Sequence, residues 1–161
     1  MVNTFLPYAN FSQSASVLDV KRLGKQRLEA RQIIRILEGT QTTNGYRNHP
    51  AVIMWKDNVE ALKLYYNTIV KEWISRGYKN TMEFYEIDSD TANIPMPWWL
   101  DNKKFHYSHR ASLIRKNEAY YQDKFHLPSK YLERGYIWPK IVDGKQIMKF
   151  SDIPKDDKPA V

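Results

Sequence analysis

The feature that most constrains this chain is an apolar repeat between Trp55 and Trp73. Trp55, Val59, Leu62, Tyr66, Ile69 and Trp73 follow one another at intervals of four and three, which places their side chains on one face of an α-helix. Such a stripe has to be buried against other elements, so the segment is expected to be the hydrophobic spine of a mainly α protein. Pro50 suits the first helical position and Gly77 the residue just past the end. Unbroken from Pro50 to Arg76, the helix would be about 40 Å long at 1.5 Å per residue, so a break is expected near Lys56 to Asn58.

A second helix is expected over Asp19–Glu38, closed by Gly39. Leu23, Ala30, Ile34 and Leu37 share its core face. Lys21, Arg22, Lys25, Arg27, Arg31 and Arg35 crowd the rest of its surface, with Arg27, Arg31 and Arg35 along one line. Gly24 within the helix costs about 1 kcal/mol relative to Ala, which points to close approach by a backbone or a ligand. Among these cations sits one mid-helix acid, Glu29. One reading is a solvated amphipathic helix with Glu29 in ordinary ion pairs. The other is a phosphate-binding helix carrying one catalytic carboxylate. A carboxylate among arginines is expected in its ionised form, suited to opposing the oxocarbenium-like charge that develops when a nucleoside loses its base.

Elsewhere the pattern is coarser. Residues 1–13, interrupted by Pro7, read as an ordered arm, and Ser12, Ser14, Ser16 and Asp19 are all credible N-caps for the helix that follows. Residues 40–49 form a loop. TMEFYEI reads as a helical turn or a short strand, and Pro95 and Pro97 stiffen a loop that presents Trp98 and Trp99. Asp101 is expected to cap a third helix, DNKKFHYSHRASLIRK, rich in Lys and Arg, with His106 and His109 on one face and no acid after its first residue. EAYYQDKF continues that helix or forms a separate one, and Asp143-Gly144 marks a small C-terminal β-hairpin. The expected architecture is a compact single-domain helical bundle with long loops over residues 1–150, followed by a flexible tail over 151–161.

Composition narrows the function. Twenty-five Lys and Arg against eighteen Asp and Glu give a formal charge of +7, which favours polyanionic partners through counterion release. Aromatic residues reach 14%, enough to supply stacking contacts as well as a core. There is no cysteine, which excludes thiolate metal sites and a cysteine nucleophile. The four histidines form no HExxH pattern, and no phosphate-loop, dinucleotide or serine-elbow motif is present. No metal or organic cofactor is expected. No apolar run is long enough to span a bilayer and the N-terminus does not read as a signal peptide, so the expectation is a soluble cytoplasmic monomer without membrane contact. Trp98 and Trp99 have two readings, a wedge into a duplex or closure of the core.

Three segments resemble the pyrimidine-dimer DNA glycosylases of the endonuclease V type: RLGKQRLEARQ, the stretch from His49 to Tyr78 ending in KEWISRGY, and, in kind only, the aromatic and basic C-terminal third. The likeness covers about residues 1–125. It implies a small helical fold that binds duplex DNA on a basic face and excises a damaged base. In that chemistry an amine attacks C1′, a Schiff base forms and elimination cuts the strand. Glu29 matches the essential glutamate, and Arg22 or Arg27 the arginines near it. The family's nucleophile is the α-amine of a Thr exposed by loss of the initiator Met, and Val2 stands there in this chain. The resulting expectation is a DNA glycosylase, with an AP-lyase step where the amine is available, acting on a pyrimidine dimer or modified pyrimidine. Glu29, Val2 and His109 are its candidate catalytic residues. Arg22, Lys25, Arg27, Arg31, His106, Arg110, Arg115, Lys116, Trp98 and Trp99 are its candidate DNA contacts. The rival from another class is a non-catalytic nucleic-acid-binding or interaction module.

Overall fold

The computed structural model describes residues 2–40, 45–87 and 90–157, apart from the side chains of Thr91 and Asp156. Among these residues it has six α-helices and one two-stranded antiparallel hairpin, the mainly α architecture the periodicity implies. Contacts gather into two units. One comprises residues 1–5 and Asn10–Leu100, the other Leu6–Ala9 and residues 101–161.

The first unit contains α1 (Phe11–Val17), α2 (Val20–Leu37), α3 (Pro50–Ile53) and α4 (Val59–Ser75). The arm ends earlier than residue 13, because the Asn10 side chain accepts the Gln13 N–H at 2.8 Å and starts a short extra helix. α2 then begins after Asp19, whose carboxylate pairs with Arg22 at 3.2 Å rather than capping the helix. Gly39 closes α2 at φ 75°, where its left-handed conformation lets Thr40 N–H reach the Arg35 carbonyl at 2.9 Å. The expected break in the long helix lies at residues 54–58, and Trp55 there is completely buried.

Gly24 explains itself through α4. A Cβ at this position would lie 3.1 Å from the Trp73 ring, so the close approach comes from a side chain. Trp73 is pinned there, its indole N–H donating to Lys79 O at 2.9 Å and its ring lying 4.1 Å beneath the Arg27 guanidinium. Residues 78–87 form neither a turn of helix nor a paired strand. Side chains of α4 hold them instead: Asn67 exchanges two 2.9 Å hydrogen bonds with the backbone of Tyr85, and Tyr66 donates to Glu83 O at 2.8 Å.

The second unit contains α5 (Lys103–Lys116), α6 (Glu118–Tyr121), β1 (Ile137–Val142) and β2 (Lys145–Phe150). Asn102, not Asp101, caps α5, accepting the Phe105 N–H at 3.1 Å. Asp101 sits at φ 75° and donates its N–H to His106 Nε2 at 3.1 Å. The same ring's Nδ1 donates to Leu6 O at 2.7 Å, and His109 Nδ1 accepts the Leu6 N–H at 2.9 Å. Two imidazoles thereby satisfy both backbone groups of one buried residue. Burial pushes the His106 and His109 pKa values below the ordinary histidine range, His109 furthest.

At the other end of α5, Ser112 lies 2.7 Å from the Tyr136 hydroxyl and donates to Asp157 at 2.8 Å. Lys116 and Arg115 pair with the same carboxylate. The described end of the expected flexible tail is therefore packed, Asp157 being 1% exposed; residues 158–161 lie outside the described residues. Asp143 and Gly144, at φ 50° and 76°, make the tight turn that the sequence calls for.

Two consequences can be measured. Leu in place of Gly24 drives a side chain into the pinned Trp73 ring and is expected to lower stability by about 1–3 kcal/mol, read by urea unfolding. The two histidines are held neutral when folded and bind protons when unfolded, so stability is full above about pH 6.5 and falls as pH drops below it. Replacing His109 by Gln should flatten that acid-side loss in unfolding curves taken between pH 7 and 5.

Candidate active site

Glu29 stands one turn beyond Gln26 on α2. Gln26 is completely buried, because the register that buries Leu23 and Ala30 carries position 26 inward as well. A buried carboxamide needs partners for two N–H groups and two lone pairs. Its Nε2 donates to Glu29 Oε2 at 2.8 Å and to Asn3 O at 3.1 Å. Its Oε1 accepts the Phe5 N–H at 2.9 Å and lies 2.7 Å from the Tyr65 hydroxyl. The side chain thus pairs with the backbone of residues 3 and 5 much as a neighbouring strand would, with the catalytic candidate attached to the same amide.

Tyr65 completes the arrangement. Its hydroxyl is also 2.9 Å from Phe5 O. Burial, with the Glu29 charge adding to it, raises the phenol well above its usual range, so it stays a hydrogen-bond donor at neutral pH. Thr4 accepts the Trp55 indole N–H at 3.0 Å, and Val2 is 4% exposed. The arm next to Glu29 is therefore held at residues 3, 4 and 5. Met1, and with it the residue that precedes the candidate amine, lies outside the described residues.

The cations divide sharply. Lys25, four residues before Glu29, and Arg31 are exposed. Arg31 lines a cleft of about 340 Å³ with Tyr66, Phe84 and Tyr85, and burial raises both phenols while the Arg31 charge opposes the shift. Arg22 is engaged with Asp19. Arg27 does not continue an exposed line with Arg31 and Arg35: it is stacked on Trp73 and bonded to Asn80 at 3.0 Å, and burial lowers its pKa. In the second unit Arg110 lies over Tyr8 at 4.6 Å and donates to Pro7 O at 2.8 Å. Arg115 and Lys116 are turned toward Asp157.

Trp98 is 39% exposed, whereas Trp99 is 1% exposed, packed edge-on to Trp55 at 4.9 Å and bonded to Met54 O at 2.9 Å. Of the two tryptophan readings, core closure is what Trp99 does. His106 and His109 are both buried against Leu6. No cluster among the described residues could hold a metal ion, and none of the helices described is long and apolar enough to cross a membrane.

Gln26, Tyr65 and Asn3 are the residues that sequence reasoning passes over. Gln26 had a readable signal, a lone amide within an apolar helical stripe and three residues before the acid. Tyr65 and Asn3 had none, since their importance comes from tertiary contact with Gln26 and the arm.

A family model described as pyrimidine dimer DNA glycosylase matches residues 2–86, more than half of the 161-residue chain. Neither the curated proteins nor the solved structures provide a match. The matched stretch begins at the buried Val2 and takes in Glu29, Gln26 and Tyr65 together, and the chain belongs to the pyrimidine dimer DNA glycosylases, base-excision enzymes of DNA repair whose substrate is DNA.

Proposed function

We propose that the protein excises a pyrimidine dimer or modified pyrimidine from duplex DNA and cuts the strand by an AP-lyase step, with Glu29 as the catalytic carboxylate and the α-amine of Val2 as the nucleophile once Met1 is removed. The observation that carries this reading is the Gln26 amide, which donates to Glu29 at 2.8 Å and to Asn3 O at 3.1 Å. One rigid group thus ties the carboxylate to the arm one residue past Val2.

The chemistry follows from those positions. An α-amine has an intrinsic pKa near 8, so an appreciable fraction is neutral and nucleophilic at pH 7. Its lone pair forms a bond to C1′ while the glycosidic bond breaks and the base leaves with the bonding electrons. Glu29 opposes the positive charge that develops at C1′, takes a proton from the attached amine and returns it to O4′ as the sugar ring opens to the iminium. Loss of a C2′ proton then expels the 3′-phosphate and cuts the strand. Lys25 and Arg31 supply exposed positive charge for backbone phosphates, and Trp98 supplies an exposed aromatic face. Arg22, Arg27, Arg110, Arg115 and Lys116 act instead by shaping the surfaces around them. His106 and His109 act by fixing Leu6, which follows Phe5 in the arm; their burial and lowered pKa values favour positioning over proton transfer.

Borohydride reduction in the presence of a dimer-containing duplex should trap a covalent protein–DNA adduct, and intact mass should show loss of Met1. Glu29→Gln is expected to lower base release by about 10²–10⁴-fold with duplex binding retained. Unchanged base release in that variant would overturn the assignment of Glu29. Release without any trapped adduct would transfer the nucleophile from Val2 to water and remove the lyase step. Gln26→Glu keeps the acceptor for Phe5 but loses both N–H donors. It should reduce kcat about 10²-fold with little change in KM, and shift the pH profile of the trapped adduct. A purely structural glutamine would leave that profile where it is.

A further inference from the structure

The hairpin of β1 and β2 lies outside the segment matched by the family model, and its register sorts its charge onto one face. Trp138 opposes Lys149, Lys140 opposes Ile147 and Val142 opposes Lys145. Cross-strand partners share a face and alternate residues change face. Lys140, Lys145 and Lys149, the three strand lysines, therefore all fall on the same side. The other side carries Ile137, Pro139, Ile141, Gln146, Met148 and Phe150. Its inner part packs on the Ala111, Tyr131 and Ile137 cluster through Met148 and Phe150. No ion pair among the described residues engages the three lysines, and all three are exposed.

The outer half of the ribbon stands clear of that cluster. β1 is buried over its first three residues and exposed over its last three, and Ile141, Val142 and Ile147 are 59%, 46% and 37% exposed. Rows 140–142 span about 7 Å at 3.3–3.4 Å per residue, and exposed Lys149 stands two rows inward of Lys140, opposite the buried Trp138. A two-stranded ribbon of this size fits a duplex major groove, about 12 Å wide and 8.5 Å deep. We infer that this lysine face is a second, sequence-independent contact with duplex DNA, seating the ribbon along a major groove with Lys140, Lys145 and Lys149 at backbone phosphates. The inference rests on DNA being the substrate. Charge complementarity selects the occupant: three cations on one face of a protein of charge +7, with Asp143 at the turn as the ribbon's one acid.

Lysines on an exposed ribbon also block edge-to-edge pairing with another chain, and the salt dependence of binding separates the two roles. The full-length triple variant Lys140→Gln, Lys145→Gln, Lys149→Gln is compared with the wild type on undamaged duplex over a salt series. Phosphate contact predicts a slope of log K against log salt shallower by about 2 to 3, with a raised KM and unchanged kcat for base release from a dimer-containing duplex. An unchanged slope with normal base release overturns the ribbon contact and leaves the glycosylase intact. A shallower slope in a protein whose wild type releases no base keeps the contact and sinks the catalytic reading. Lysine-dependent binding to phosphatidylserine-rich vesicles, with no lysine-dependent binding to duplex, would also overturn the proposal. Circular dichroism melts of the variant should match the wild type because all three side chains are solvent-exposed. A lowered melt would locate the lysines in the fold and count against the proposal.

Discussion

A carboxamide sealed from water has to find every one of its hydrogen bonds inside the protein, and around Gln26 that requirement organises the N-terminal part of the chain. Val2 and Phe5 anchor the arm by burial, but its backbone between them still needs polar partners. Gln26 and Tyr65 fix it by supplying polar partners for the backbone of residues 3 and 5, and Trp55 adds an indole N–H at Thr4. Removing one of these partners leaves others unsatisfied in a buried site, which is costlier than the net worth of any single bond. The arm and the carboxylate therefore share one hydrogen-bonded side chain. Preorganisation of that type would matter to the proposed reaction, in which the attacking amine lies beside residues 3 to 5, in a segment that is ordinarily mobile.

The arginines show the same division between structure and chemistry. Arg27, Arg110 and Arg115 each combine a flat guanidinium with an aromatic ring or with backbone carbonyls. Planar stacking and several directed N–H groups are what distinguish Arg from Lys, and these side chains use both properties internally. The exposed cations of α2 remain in solvent on the helix surface next to Glu29. Net charge alone could not have sorted one group from the other, since both contribute equally to +7.

How much the sequence disclosed depended on the range of the interaction concerned. Helix periodicity, the break after α3, the Gly39 and Gly77 ends and the Asp143-Gly144 turn are local properties, and each is visible in a few adjacent residues. Gly24 was an intermediate case: its cost to the helix signalled a close approach, but only the packing of α4 identifies Trp73. The extra helix α1 was hidden because its cap, Asn10, lies upstream of the four capping residues that the sequence singled out. His106 and His109 looked like acid–base candidates because histidine is versatile in sequence. The contacts they make are with Leu6, about a hundred residues away in the chain, and those could not be read locally. Glu29 entered as a candidate through the family resemblance, whereas the amide bonded to it became visible only when the arm was seen to lie against α2.

Under the proposed reading, position 2 carries valine where the resemblance implies threonine, and burial offers a physical reason for that exchange. In the proposed chemistry the nucleophile is the backbone amine, so the side chain contributes shape rather than reactivity. Val and Thr are both branched at Cβ and nearly equal in volume, and differ in that threonine brings a hydroxyl. With Val2 at 4% exposure, a hydroxyl there would need a hydrogen-bond partner of its own, whereas two methyl groups are buried favourably. Valine keeps the branch that restricts χ1 next to the candidate amine and adds no polar group to a buried position. Valine in place of threonine at this position thus alters how the side chain packs while leaving the proposed amine nucleophile chemically the same.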